Sequence, residues 1–599
     1  MKPHFILATF AIFALAGCGA KQKSVAAAPL ALAASEGRWF VSAANPYAVE
    51  AGAAILARGG SAVDAAIAVE AVLSLVEPQS SGFGGGGFLM HYDPATGSLD
   101  TYDGRETAPM SATPERFIAE NGAPMDFMDA VAGGLSVGVP GVVAMLGEAH
   151  REHGGLPWPD LLAPAIALAD DGFKVSPRLS ELLGQATRLR ASPAAAAYFY
   201  DAEGRPRAPG YVLKNPEYAA VLRTIAAYGP QAFYEGAIAS SIVASVAAAP
   251  NPGGMTLADL AAYRPVKRAP VCGPYRALFV CSMAPPSSGG VTLLQILAML
   301  EGHDLKAMGA GSPDALHVLI EASKLAYADR DKYLADNDAN AAATDGLTSA
   351  AVIAGLLNPP YLAARAKLVD TARAAETVSA GDPSQYPIAA GAAPGAWRKL
   401  GEGVSYEPPS TTHFTIVDAK GRVVSMTATV EFAFGSHQMA NGMILNNQLT
   451  DFSFLPVSAD GKPVANAVGP GKRPRSSMTP AIIFDKNGAI KGALGSPGGP
   501  AIIGYVAKTI IAAVDWNMSM QAAIDYPNIV APRGAPALER GGFDPAVVQS
   551  LQQRGHALSE RDLTSGVHGF MVKADGSLDG GADKRREGAW KTGVFTPAK

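Results

Sequence analysis

Between Thr411 and Phe432 the residue types spell out a hairpin. Val424, Met426, Ala428, Val430 and Phe432 alternate with Val423, Ser425, Thr427, Thr429 and Glu431, the period of two that sends apolar side chains to one face of a strand and polar ones to the other. Thr411 to Val417 reads as the partner strand, and Asp418-Ala419-Lys420-Gly421-Arg422 as the connection. A three-residue loop with Gly421 in the left-handed position makes Asp418 oppose Arg422. That register brings Thr411 opposite Thr429, with Glu431 two residues further along the same face. The chain is thereby committed to a sheet with one covered apolar face and a pair of hydroxyls where it begins. Threonine pairs are routine in sheets, so the pairing alone assigns no chemistry.

The chain has 599 residues, of which 48% are hydrophobic and 17% charged, against the ~25% charge of an average chain. At ~150 residues per domain this length allows about four domains, and the composition excludes disorder throughout. Lys plus Arg number 48, Asp plus Glu 53, and the net charge is -5. With no basic run to track a phosphate backbone, nucleic-acid binding is not expected. The 65 glycines and 45 prolines call for many tight turns and close backbone approaches.

Lys2, the apolar run Phe5 to Leu15 and the small residues Ala16 and Gly17 before Cys18 form a secretory signal. The run is shorter than the ~20 residues that span a bilayer. A cysteine directly after small residues resembles the bacterial lipobox, which implies a signal peptide over 1–17, lipid modification of Cys18 and a tether over 18–37. Gly19 and Ala20 carry no acidic retention signal, which points to the outer membrane, with the body of the protein in the periplasm. After residue 20 no apolar stretch is long enough to span, so the lipid is the expected membrane contact. Of the three cysteines, Cys272 and Cys281 remain. They bracket a Gly273-Pro274 turn and a short strand from Tyr275 to Val280, and either a disulfide or two buried thiols fits.

Helices are predicted around Tyr47 to Arg58 and Ala62 to Leu75, and a strand from Gly87 to Tyr92. Alanine-rich stretches at 24–34, 191–197, 338–343 and 389–396 read as surface insertions or linkers, and 338–410 has no clear pattern. Pro408-Pro409 before Ser410 favours an extended, exposed approach to Thr411.

The ordered blocks STTHFTIVD, Gly442 to Phe452, Pro474-Arg475-Ser476-Ser477-Met478 and Gly495-Ser496-Pro497-Gly498-Gly499 resemble those of the gamma-glutamyltransferases. Upstream, SSGFGGGGF, Asp103-Gly104-Arg105-Glu106, SVGVPG, MAPPSSGG and EASKLAYADRDKYL match as well, so the resemblance spans roughly residues 38 to 599. It implies an α+β fold, the four-layer αββα sandwich of the N-terminal-nucleophile hydrolases. It also implies self-cleavage between Ser410 and Thr411, giving a large subunit (38–410) and a small catalytic subunit (411–599) that remain together as a heterodimer.

Such a cut has a physical purpose. A threonine hydroxyl is a weak nucleophile until a base takes its proton. A new N-terminal amine, with an unperturbed pKa of ~7.7 to 8.0, suits that task near neutral pH better than a lysine at ~10.4. Thr411 is thus read as nucleophile and base, with Thr429 orienting its hydroxyl. The resemblance assigns the oxyanion hole to Gly498 and Gly499, which precede the apolar helical pattern Ile502 to Trp516. It assigns the substrate carboxylate to Arg105, Ser476 and Ser477, and the substrate ammonium to Glu431, Gln448 and Asp451. Glu431 stands where some members carry Asn. The segment from Phe452 to Ala465 is shorter than the family's lid-bearing version and lacks its aromatic gate. His413 reads as a strand residue. No metal-ligand spacing or nucleotide loop is present, so no metal and no cofactor are expected.

The activity implied is transfer of the gamma-glutamyl group of glutathione and related compounds to water, amino acids or peptides. The alternative is a glutaryl-type cephalosporin acylase of the same fold. Glu431 and Asp451 argue against it, since two carboxylates facing a substrate without a cation would repel. A peptide-binding lipoprotein without catalysis is a third reading.

Overall fold

In the computed structural model the described residues are 37–596, apart from 249, 343, 345, 388–393 and 533. Cys18 and the 1–17 segment lie outside them. Two antiparallel sheets stack face to face with helices on both outer sides, giving the four-layer arrangement.

The first sheet runs in the order Ala589–Val594, Arg38–Ala43, Thr412–Val417, Val423–Thr429, Gly86–Asp93, Ser98–Gly104 and Val266–Lys267. The second runs Leu578–Ala582, His568–Val572, Ile490–Gly495, Ala481–Asp485, Leu278–Ser282 and Val271–Tyr275. Each sheet contains strands from before and from after position 410: they interleave in the first, while in the second four strands from after it adjoin two from before it. The two expected fragments therefore share every layer, and neither owns a sheet to fold around by itself.

On its outer face the first sheet presents Phe414, Ile416, Val424, Met426 and Ala428 to the helices Pro46–Ala57, Ala62–Val76, Val142–His153 and Trp158–Asp171. Ala62–Val76 is buried nearly all round, as its continuous Ala, Val, Ile and Leu composition requires, and Ser61 starts it with a capping box to Asp64. Behind the second sheet lie Gly289–Leu300, Pro313–Tyr333 and Ala501–Val514.

The layer between the sheets is mixed. Phe40, Phe88, Met90 and Phe570 are its apolar part. Beside them, hydroxyls of the first sheet bond carbonyls of the second: Ser42 to Gly581 at 2.8 Å and Thr415 to His568 at 3.1 Å. His413 sits here, bonded to Thr427 at 2.9 Å and Thr415 at 3.1 Å. Burial and then His568 push it well below the ordinary histidine range, so it is a neutral inter-sheet strut.

The hairpin register is the one read from the sequence: Val423 pairs with Val417 and Ala428 with Thr412. Three expectations need correction. The second strand ends at Thr429, because Glu431 adopts φ +80 and its N–H turns back to the Thr429 hydroxyl at 2.9 Å. The cysteine hairpin turns at Arg276, φ +54, while Gly273 and Pro274 lie inside an edge strand. Cys272 faces Cys281 across it and the two are disulfide-bonded; Pro274 is tolerated because an edge strand has one unpaired side. The 191–197 stretch is largely helical, within Pro193–Phe199, and buries Ala195.

Gly495 marks how closely the sheets approach. A β-carbon there would lie 2.3 Å from His413 Cε1. We expect Gly495→Ala to cost about 1 to 3 kcal/mol through overpacking. Gly302→Ala, where a β-carbon meets nothing within 4 Å, should leave the melting temperature nearly unchanged. Equal melting temperatures for the two variants would contradict this inter-sheet packing.

Candidate active site

Thr411 lies one residue before the Thr412–Val417 strand, with its hydroxyl 3.0 Å from that of Thr429. Both hydroxyls point between the sheets at one end of the sandwich. Thr411 is 5% exposed and has φ +84, a left-handed conformation uncommon for a β-branched residue.

The second sheet closes the site from the opposite side. Its Ile490–Gly495 strand leads to Gly498 and Gly499 at φ +137 and +57, followed by the Ala501–Val514 helix. A β-carbon on Gly499 would meet the Glu407 carbonyl at 2.2 Å, so only glycine fits there. The Gly498 N–H donates to the Ser410 carbonyl at 3.0 Å, and Arg586 Nη1 donates to the same oxygen at 3.3 Å.

Thr411, Thr429, Gly499, Arg105, Glu431, Gln448, Asp451, Ser476 and Ser477 all line one cavity of about 20 Å³, together with Glu407 and Pro408. Gly498 stands just behind it, on the Ser410 carbonyl. Sequence segments as far apart as 105 and 499 converge because the two sheets and their end loops meet here.

The charges are arranged in two groups. Arg105, 1% exposed, is ion-paired to Asp451 and donates to the Arg475 carbonyl at 2.6 Å. Gln448 Nε2 donates to Asp451 at 2.6 Å, and Asn447 Nδ2 donates to Glu431. Burial, then repulsion from Asp451, holds the Glu431 carboxyl well above the usual carboxylate range. Burial raises Asp451 to about 7, with Arg105 opposing the rise. Two carboxyls this close and this dry do not both ionise without a cation between them.

In the second group only Ser477 is expected from the sequence; the roles of Glu407 and Arg330 are not. Glu407 accepts from the Ser477 hydroxyl at 2.6 Å and from Arg330, whose Nη2 also donates to Ser477 at 2.7 Å. Burial opposes its charge, but Arg330 and then Arg475 outweigh that and hold Glu407 down at about 2. The approach to Thr411 is accordingly less exposed than expected: Glu407 and Ser410 are buried, the latter bonded to the Gln79 carbonyl at 2.7 Å, and of 407–410 only Pro409 is exposed. Arg330 lies within a quoted block, but no local pattern ties it to Glu407, 77 residues away.

Aromatic rings gather at the 452–465 segment. Phe454 stacks on Phe117 at 4.6 Å, and its ring lies 5.8 Å from that of Tyr406. Phe454 and Tyr406 also border a larger cavity of about 650 Å³.

In an uncut chain held by Thr411→Ala, Glu407→Gln should lower unfolding free energy at pH 7 by about 3 kcal/mol. The depressed pKa contributes stability above the unfolded value of ~4.3, and that contribution disappears as pH falls through about 2. The variant should lack this acid-dependent loss. Denaturation curves at pH 7 and pH 3 that match those of the parent would contradict the assignment.

Residues 48–592 match the family profile described as Gamma-glutamyltranspeptidase. The glutathione hydrolase proenzyme of Bacillus subtilis (strain 168) is 35% identical over 554 residues, covering 92% of this chain and 90% of that protein. The Acylase ACY 1 proenzyme of Pseudomonas sp. (strain SE83) is 36% identical over 564 residues, covering 93% of each. Among solved structures, a cephalosporin acylase from Bacillus halodurans superposes with a TM-score of 0.78 at 25% identity, over 94% of this chain and 97% of that one.

Proposed function

Because this chain belongs to the gamma-glutamyltranspeptidase family, we propose that it cuts itself before Thr411 and then transfers gamma-glutamyl groups from glutathione and similar amides. The acceptor is water, an amino acid or a short peptide. The observation that carries this reading is the Thr411–Thr429 hydroxyl pair, at 3.0 Å, in one cavity with separate partners for a carboxylate and an ammonium.

The new Thr411 amine takes the hydroxyl proton and the oxygen attacks the substrate amide. Backbone N–H groups at Gly498 and Gly499 stabilise the oxyanion. The amine product leaves with that proton, and the glutamyl group remains as an ester on Thr411. Water or an acceptor amine then attacks the ester and restores the hydroxyl. No step requires a metal or cofactor.

A zwitterionic glutamyl end exchanges ion pairs on entry. Its carboxylate replaces Asp451 on Arg105 and takes hydroxyl donors from Ser476 and Ser477. Its ammonium meets Gln448 and the paired carboxyls of Glu431 and Asp451, which ionise as it binds. Glu407 must withdraw first, since its carboxylate holds Ser477.

The acylase reading keeps support from relatives named Acylase ACY 1 proenzyme at comparable identity. A glutaryl substrate has no ammonium, so the two substrates part in their pH dependence. Asp451 loses its proton as pH rises through about 7. The ratio of kcat/KM for gamma-glutamyl over glutaryl anilide should therefore rise through neutrality, about tenfold per pH unit at most. Titration of the Thr411 amine affects both substrates and cancels. A ratio below one that falls with pH would favour the acylase.

The lipid anchor and periplasmic location are proposed from the Cys18 motif alone. Cys18→Ser should move the protein from the membrane to the soluble fraction of cells; unchanged fractionation would refute the anchor.

A further inference from the structure

We propose that Arg586 supplies, with the Gly498 amide, the oxyanion hole for the self-cleavage step, and is a catalytic residue of maturation. The proposal rests on the reading that the chain cuts itself before Thr411.

In the uncut chain the Ser410 carbonyl oxygen receives two donors from distant segments, the Gly498 N–H at 3.0 Å and Arg586 Nη1 at 3.3 Å. The same Nη1 donates to the Thr411 carbonyl at 3.0 Å, and Nε is anchored on the Thr564 carbonyl at 2.9 Å. One guanidinium thus spans the residues on both sides of the peptide bond to be cut. Arg586 is 1% exposed, and its Nη2 has no hydrogen-bonding partner among the described residues. Burial and then Arg178 push its guanidinium down to about 9, which leaves it charged at neutral pH, and Glu77 opposes the fall. A fixed cation in such a dry place stabilises charge developing beside it far better than it would in water.

The attacking group is equally placed. The Thr411 hydroxyl is bonded to Thr429, and the left-handed φ of +84 strains the residue whose bond must break. The hydroxyl oxygen adds to the Ser410 carbonyl carbon, forming a C–O bond and an oxyanion that faces Arg586 and Gly498. The C–N bond then breaks, the hydroxyl proton passes to the departing nitrogen, and the Ser410 acyl group is left as an ester on Thr411. Water adds to that ester through the same oxyanion. Its C–O bond breaks, releasing the Ser410 carboxylate and the free Thr411 hydroxyl and amine.

Arg586 does not line the cavity shared by Arg105, Asp451 and Ser477, whereas Gly499 does. The Gly498-Gly499 pair reaches the cavity through Gly499, while Arg586 acts on the one carbonyl that leaves when the chain is cut.

The test follows splitting of the full chain on denaturing gels for the unaltered protein, Arg586→Gln and Arg586→Lys. Loss of one oxyanion donor lowers a rate by roughly 100-fold or more, so Arg586→Gln should split at least that much more slowly, with Arg586→Lys in between. Added guanidinium ion should speed Arg586→Gln and leave the unaltered chain unchanged. In a Thr411→Ala background, Arg586→Gln should melt within about 1 °C of its parent. Splitting of Arg586→Gln at the unaltered rate would overturn the proposal. A slowdown that comes with a large melting shift and no guanidinium rescue is resolved by Arg586→Lys: slow splitting with native melting upholds the proposal, and any other result for Arg586→Lys marks a structural role and overturns it. An unaltered chain that never splits would instead overturn the self-cleavage reading itself.

Discussion

The antiparallel register between Thr412–Val417 and Val423–Thr429 is the constraint from which the site follows. Side chains alternate in a strand, so a slip of one residue would send Thr429 to the helix side and Phe414 into the space between the sheets. Gly421, at φ +76, and the bonds from Asp418 to the loop close the turn in the one way that avoids the slip. Apolar packing on the outer face and hydroxyl bonding on the inner face then enforce the same pairing. The hydroxyl pair at the sheet end is a consequence of that agreement.

The uncut chain also fills its own site. Glu407 occupies the Ser477 hydroxyl and the Arg330 guanidinium, a carboxylate on donors suited to a carboxylate. Pro408 lies over the same small cavity. The segment preceding Thr411 thus acts as an internal plug, held by the buried ion pair of Glu407 with Arg330, which also pairs with Asp331. Cutting before Thr411 frees one end of that plug. Because both sheets contain strands from each side of the cut, hydrogen-bonded to one another, the body of the fold can survive the break.

Much of this was legible in the residues because the relevant signals are local. The hairpin, its turn glycine and the Thr411–Thr429 register lie within one short segment. The converging charges came from the family resemblance, and the structure gathers Arg105, Glu431, Gln448, Asp451, Ser476 and Ser477 in one cavity with Thr411. What stayed hidden depends on distant partners. Glu407 looked like part of an exposed proline segment because its burial is set by Arg330 and Ser477. Arg586 is one of three basic residues in a row near the C-terminus, and nothing local says that its guanidinium reaches Ser410. Glu431 was read as strand because period-two alternation continues to Phe432, although the Thr429 hydroxyl and Asn447 bend the backbone first.

The account turns on whether Thr411 becomes a chain terminus. The most direct measurement is the intact mass and N-terminal residue of the polypeptides in purified, freshly expressed protein. The account requires two polypeptides, the smaller spanning 411–599 with threonine first and a free amine. A single intact chain, or a smaller fragment that begins at any other residue, would contradict it.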